Sequence, residues 1–129
     1  MVVTLGRRGD EGFALLRFNE RLGQYVLNVE HLRNPLAGGG PYGTDARTQE
    51  QVRRTIGFRD VFHTVLGRIL EEPLVIIACS KGHHRSVAIA EMAAARIRSL
   101  VGPGVTLEVV HLELGEVTRD QRTRLQRWS

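Results

Sequence analysis

Apolar stretches of strand length alternate along this chain with stretches of helical period. Residues 74–78, Leu-Val-Ile-Ile-Ala, form an unbroken apolar run just after Pro73. A strand covered on both faces reads this way, because neither side of it needs polar groups. Residues 2–5 are apolar and rich in β-branched side chains, and a Gly-Arg-Arg-Gly turn follows them, so they predict a short strand. Residues 24–32 and 105–111 predict two more. The first of these does not alternate strictly, which again suits a strand buried on both sides. Val52, Ile56, Val61, Val65 and Ile69 recur at near-helical spacing with Phe62, Leu66 and Leu70 beside them. They predict a helix over 49–71 with a break at Gly57 and a stop before Pro73, and Thr44 or Asp45 is placed to cap it. Residues 86–100 are alanine-rich and predict a helix ended by Gly102-Pro103-Gly104. Residues 113–128 predict a short helix and tail.

Strands and helices in alternation make a layered α/β domain with right-handed crossovers. The expected architecture is a single three-layer α/β domain over residues 1–129, with a mostly parallel sheet and helices on both faces. A chain of 129 residues fits one hydrophobic core. With 42% hydrophobic and 25% charged residues, the chain is not expected to be disordered throughout. No apolar run approaches the roughly 20 residues that cross a bilayer. The first residues lack the charged-then-apolar order of a secretory signal, so a cytoplasmic protein is expected. The segment 33–45 breaks the alternation. Asn34-Pro35 is a turn signal and Gly38-Gly39-Gly40-Pro41 interrupts any regular element. Loops this long inside a compact domain are commonly lids or binding loops.

Charge and cysteine content narrow the chemistry. The formal net charge is +4, and Lys81 is the only lysine among 18 basic residues. A GC-rich genome accounts for such a bias, and so does recognition of phosphate or RNA by the planar guanidinium fork. The lone Cys79 excludes an internal disulfide and a four-cysteine zinc site.

The densest chemistry follows the strongest strand. Cys79-Ser80-Lys81-Gly82-His83-His84-Arg85-Ser86 leads from the 74–78 run directly into a helix. In an open α/β sheet, ligands bind beyond the carboxyl ends of strands. The unpaired N–H groups of a helix's first turn, with the positive end of its dipole, attract anions there. Gly82 allows close backbone approach, Arg85 can grip two phosphate oxygens, and Ser80 and Ser86 offer hydroxyls, with Ser86 also placed to cap the helix. Lys81, His83 and His84 add charge or donors. The loop itself holds no acidic residue. It is not the standard P-loop, since Lys81 precedes Gly82, and no Gly-x-Gly-x-x-Gly fingerprint occurs.

The stretch from Cys79 to Glu91 resembles the signature of the carboxyl-terminal domain of the RapZ family, Gly-Cys-Thr-Gly-Gly-x-His-Arg-Ser-Val-x-Ile-Ala-Glu. Cys79, Gly82, His84, Arg85, Ser86, Val87, Ile89, Ala90 and Glu91 match, Ser80 stands for Thr, and Lys81 replaces a glycine. The segment from Asn28 to Pro35 is similar to the family's Asp-Val-Arg-Phe-Leu-x-Asn-Pro, Thr44-Asp45 to its Thr-Gly-x-Asp, and 109–112 to its last strand, which carries a histidine where His111 stands. The resemblance implies an α/β domain with a phosphate pocket, here without the family's amino-terminal nucleotide-binding domain. It implies binding of a phosphorylated small molecule, an aminosugar phosphate or a nucleotide, together with small RNAs, self-association into a homo-oligomer and a role as adaptor for a ribonuclease. No cofactor is implied. Asn34 and His111 join Ser80, Lys81, Gly82, His83, His84, Arg85 and Ser86 as candidate pocket residues. The family's basic tail has a milder counterpart in Arg119, Arg122, Arg124 and Arg127, which with Trp128 would offer RNA neutralisation and stacking or simply dock on the domain.

A rival reading comes from Cys79, Gly82, Arg85 and Ser86, which also fit Cys-x-x-Gly-x-x-Arg-Ser, the phosphate loop of cysteine-dependent phosphatases. Cys79 would then be the nucleophile, Arg85 the phosphoryl binder and Asp45 the acid. Otherwise Cys79 is a small buried residue at a strand end. His83 and His84 lack a third ligand, and no metal is expected.

Overall fold

The computed structural model describes residues 1–33 and 41–128. Four strands, β1 (Val2–Gly6), β2 (Val26–Asn28), β3 (Val75–Cys79) and β4 (Val109–His111), form one sheet in the order β2-β3-β1-β4. Every pairing is parallel, with Val2 beside Val75 and Val109, and Val26 beside Ile76. The helices are α1 (Asp10–Phe18), α2 (Ala46–Arg53), α3 (Phe58–Glu71), α4 (Arg85–Val101) and α5 (Arg119–Gln126). None is long and apolar enough to cross a membrane.

The central strands sort their side chains between two cores. Val75, Ile77 and Cys79 face Val52 of α2, Val65 of α3 and Ala88, Ile89 and Ala93 of α4. Ile76 and Ala78 face the other way, towards Leu15 of α1 and Leu125 of α5. The architecture is therefore a three-layer α/β domain. Burial on both faces is why 74–78 reads as a continuous apolar run, and each fully buried Ile or Val contributes about 1.5–3 kcal/mol.

Several elements differ from their expected extents. The helix α1 was not anticipated, because a segment opening on Gly-Arg-Arg-Gly reads as a turn. The strand expected over 24–32 shortens to Val26–Asn28. Its first residues belong to a 3₁₀ helix over Glu20–Tyr25, and the Asn28 side chain ends it by accepting the N–H of Glu30 at 2.8 Å. The strand expected over 105–111 keeps only Val109–His111. The helix over 49–71 is two helices, broken at Gly57, whose φ of +88° lies in the left-handed region that glycine tolerates. Asp45 caps α2, its carboxylate accepting the N–H of Arg47 at 2.8 Å.

Chain direction positions the site. From β1 the chain passes to α1 on one face of the sheet, and from the adjacent β3 it passes to α4 on the other. The carboxyl ends of β1 and β3 are thus the topological switch point, where doubly wound sheets open a crevice.

Candidate functional site

Two loops meet at that crevice. The β1–α1 loop is tied to the start of the β3–α4 loop by Arg7 N–H to the Cys79 carbonyl and Arg8 N–H to the Ser80 carbonyl, both at 2.8 Å. Glycines let them touch. A Cβ on Gly6 would lie 2.3 Å from the Lys81 carbonyl carbon, and one on Gly82 would lie 2.5 Å from the Gly6 nitrogen. Gly82 also has φ +76°, so its place in the loop needs both the missing side chain and the left-handed backbone.

The helix starts beside the crevice are treated differently. The first turn of α1 is filled from within. The Glu113 carboxylate receives the N–H groups of Gly6 (2.9 Å), Glu11 (3.0 Å) and Gly12 (3.0 Å). The longer α4 has no side-chain cap, and His84 stands at its N-cap position. Ser86, expected as a possible cap, is instead fully buried with its hydroxyl 3.1 Å from the Cys79 sulfur. That sulfur also accepts the N–H of Gly82 at 3.3 Å, and Cys79 is only 2% exposed.

Arg85 is buried and points into the protein. Its Nη1 donates to the carbonyls of Glu30 (2.6 Å) and Leu32 (2.9 Å), and its Nη2 donates to the Ser80 hydroxyl at 3.3 Å. Ser80 in turn donates to Glu30 Oε2 at 2.9 Å, and Arg7 pairs with Glu30 Oε1 at 3.2 Å. The Ser80 hydroxyl, helped by Arg7, holds the Glu30 carboxyl below its ordinary range. The loop's lack of acidic residues therefore does not describe its surroundings, because Glu30 and Glu113 both reach it from elsewhere in the chain.

The cleft at the switch point has a volume of about 510 Å³. Lys81 and His83 line it from the β3–α4 loop, Arg8, Gly9, Asp10 and Glu11 from the β1–α1 loop, and Leu112, Glu113, Gly115, Val117 and Arg122 from the carboxyl-terminal segment. Arg122 is paired with Glu11 at 2.5 Å. Among the described residues, Arg8 and Lys81 are the cleft cations that form no ion pair with an acid. The His83 ring packs against Tyr42 with centroids 5.3 Å apart.

The sequence-derived candidates thus separate. Lys81 and His83 line the cleft. Cys79, Ser80, Gly82, Arg85 and Ser86 form the packed frame behind it, and His84 is largely buried at the start of α4. His111 lies elsewhere, buried between the Thr4 hydroxyl (2.8 Å) and Glu91 Oε1 (2.6 Å). Asp45 is occupied by Arg47, whose hydrogen bonds lower its pKa, the opposite of what a proton donor needs. Asn34 lies outside the described residues. In the tail, Arg122 pairs with Glu11 and Arg124 with Glu108 and Asp120, while Leu125 is fully buried and Trp128 packs edge-on against Tyr25. Arg119 and Arg127 remain exposed. Glu30, Glu113, Arg8 and Tyr42 were missed. The Gly6, Gly9 and Gly12 spacing after a strand was the available signal for Glu113, since a Cβ on Gly9 or Gly12 would press on its carboxylate.

No family model matches the chain. Over 41 residues it is 51% identical to a nucleotide-binding protein of Leifsonia xyli subsp. xyli, covering 32% of this chain and 13% of that one. Over 66 residues it is 38% identical to a nucleotide-binding protein of Mycolicibacterium smegmatis, covering 45% and 22% respectively. These matches span less than a quarter of either relative's length.

Proposed function

We propose that this domain is a recognition module that binds a phosphorylated small molecule of the nucleotide class in the switch-point cleft, as a relative of the RapZ carboxyl-terminal domain. The observation that carries the reading is the placement of Lys81, His83 and Arg8 around one cleft at the carboxyl ends of β1 and β3. A phosphate seated there would meet two cations and lie beside the segment leading into α4. The names of the two similar proteins support a nucleotide. An aminosugar phosphate is the other ligand that the family resemblance implies.

Arg85 contributes indirectly. By holding the carbonyls of Glu30 and Leu32 it fixes the loop whose Lys81 and His83 face the ligand. This geometry favours binding over phosphoryl transfer. The guanidinium that a cysteine phosphatase would turn towards its substrate is engaged with backbone, and Asp45 is engaged with Arg47. Contact with RNA, self-association and a ribonuclease partner come from the resemblance alone. The tail lends RNA modest support, since two of its four arginines are already paired within the domain.

The test is thermal melting with inorganic phosphate, sulfate, sugar phosphates, nucleotides and a short RNA, on the wild type and on Lys81→Ala and Arg8→Ala. A ligand at about 100 times its dissociation constant stabilises by roughly 2.7 kcal/mol. Stabilisation by a phosphorylated compound that both variants weaken is the expected result. No shift with any of the anions would overturn the reading.

A further inference from the structure

We propose that Tyr42, held against His83 at the edge of the cleft, is a base-stacking residue for its ligand, so that the site prefers nucleotides to phosphates that carry no base. The inference rests on the reading above and assigns a residue to it.

Tyr42 is 50% exposed, yet its backbone is fixed on both sides. Gly43 donates its N–H to the His83 carbonyl at 2.8 Å, and Asp45 donates its N–H to the Tyr42 carbonyl at 2.9 Å. The Thr48 hydroxyl binds the Pro41 carbonyl at 2.9 Å, and the Gln49 side chain binds the Gly43 carbonyl at 2.9 Å. Gly43 lies flush on the start of α4, where a Cβ would come within 2.2 Å of the Ala88 nitrogen. The turn thus presents a large ring on a rigid support without burying it. Such a ring gives up little conformational freedom when a flat partner stacks on it.

Position supplies the second half of the argument. The ring of His83, 5.3 Å from that of Tyr42, also lines the cleft that Lys81 and Arg8 border. Tyr42 does not itself line the cleft but stands behind His83 at its edge, so a ligand with its phosphate at those cations would reach the Tyr42 ring only where its body extends past His83. Stacking on an aromatic face tolerates every base, because each has a π-face. The site should therefore separate compounds with a base from those without one, and discriminate weakly among bases.

The experiment is calorimetric titration of AMP, GMP, ribose 5-phosphate and pyrophosphate into the wild type, Tyr42→Ala, Tyr42→Phe and Lys81→Ala. Stacking of ordinary strength predicts that the wild type binds both nucleotides about tenfold more tightly than ribose 5-phosphate. Tyr42→Ala should lose that advantage while binding pyrophosphate as the wild type does, and Tyr42→Phe should keep it. Lys81→Ala should weaken all four. Nucleotide affinity unchanged in Tyr42→Ala, or ribose 5-phosphate binding the wild type as tightly as AMP does, overturns the stacking role while leaving the phosphate site standing. Failure of every compound to bind the wild type overturns the phosphate site and the stacking role together.

Discussion

Glu113 accepts the backbone N–H of Gly12 at 3.0 Å, from 101 residues further along the chain. With the N–H groups of Gly6 and Glu11 on the same carboxylate, it closes the start of α1 with a charge supplied by the carboxyl-terminal segment. Hydrogen bonds to a charged acceptor at a helix start are among the stronger ones. Glu113→Ala should therefore destabilise the fold by about 2–3 kcal/mol. Urea unfolding checks it, and a midpoint equal to that of the wild type would mean that the contact contributes nothing.

The two loops of the crevice meet through glycine backbones. Gly82→Ala combines a left-handed φ with a Cβ 2.5 Å from the Gly6 nitrogen. It should cost at least about 2 kcal/mol. Gly67 in α3 is the control, since apart from its chain neighbours and the helix's own backbone nothing lies within 4 Å of where its Cβ would sit. Gly67→Ala should stabilise by about 0.5–1 kcal/mol through helix propensity. Melting temperatures that move in opposite directions confirm the contrast.

Arg85→Ala should reduce stability by about 2–3 kcal/mol, because the carbonyls of Glu30 and Leu32 lose a charged donor. Weakened ligand binding in that variant would accompany loop disorder. Lys81→Ala should weaken binding at unchanged stability. Denaturation and ligand titration run side by side on both variants distinguish the two roles.

Glu108 predicts a pH dependence. Hydrogen bonding to Arg124, with help from Gln121 and the chain's amino terminus, holds its pKa at about 2 instead of 4.5. A carboxyl depressed in the fold adds stability that is complete above the unfolded value and fades as pH falls through the folded one, here between about 4.5 and about 2. Solvent screening of this partly exposed pair keeps the contribution below about 1 kcal/mol. In Arg124→Ala the decline in urea midpoint over that acid range should be shallower than in the wild type.

The central strand, the helix that follows it and the loop between them were legible in the sequence, because each is specified locally. Unbroken apolar character at 74–78 demands burial on both faces, an alanine-rich period demands a packed helix, and backbone freedom lets Gly57 open α3 and Gly102 end α4. The short edge strands β2 and β4 were overextended, since apolar residues there pack without pairing. The roles of the loop's side chains were not legible. Arg85 binds backbone because the 30–32 segment, 53–55 residues earlier, brings two carbonyls to it. Glu113 reaches α1 because β4 lies beside β1 in the sheet. His111 faces Glu91 because the pleat turns it, with its pairing partner Thr4, to the face of the sheet that α4 covers. Local composition thus determined that a charged loop joins a buried strand to a helix. Which of its groups line the cleft and which hold the frame was decided by partners that only the parallel pairing of distant strands brings together.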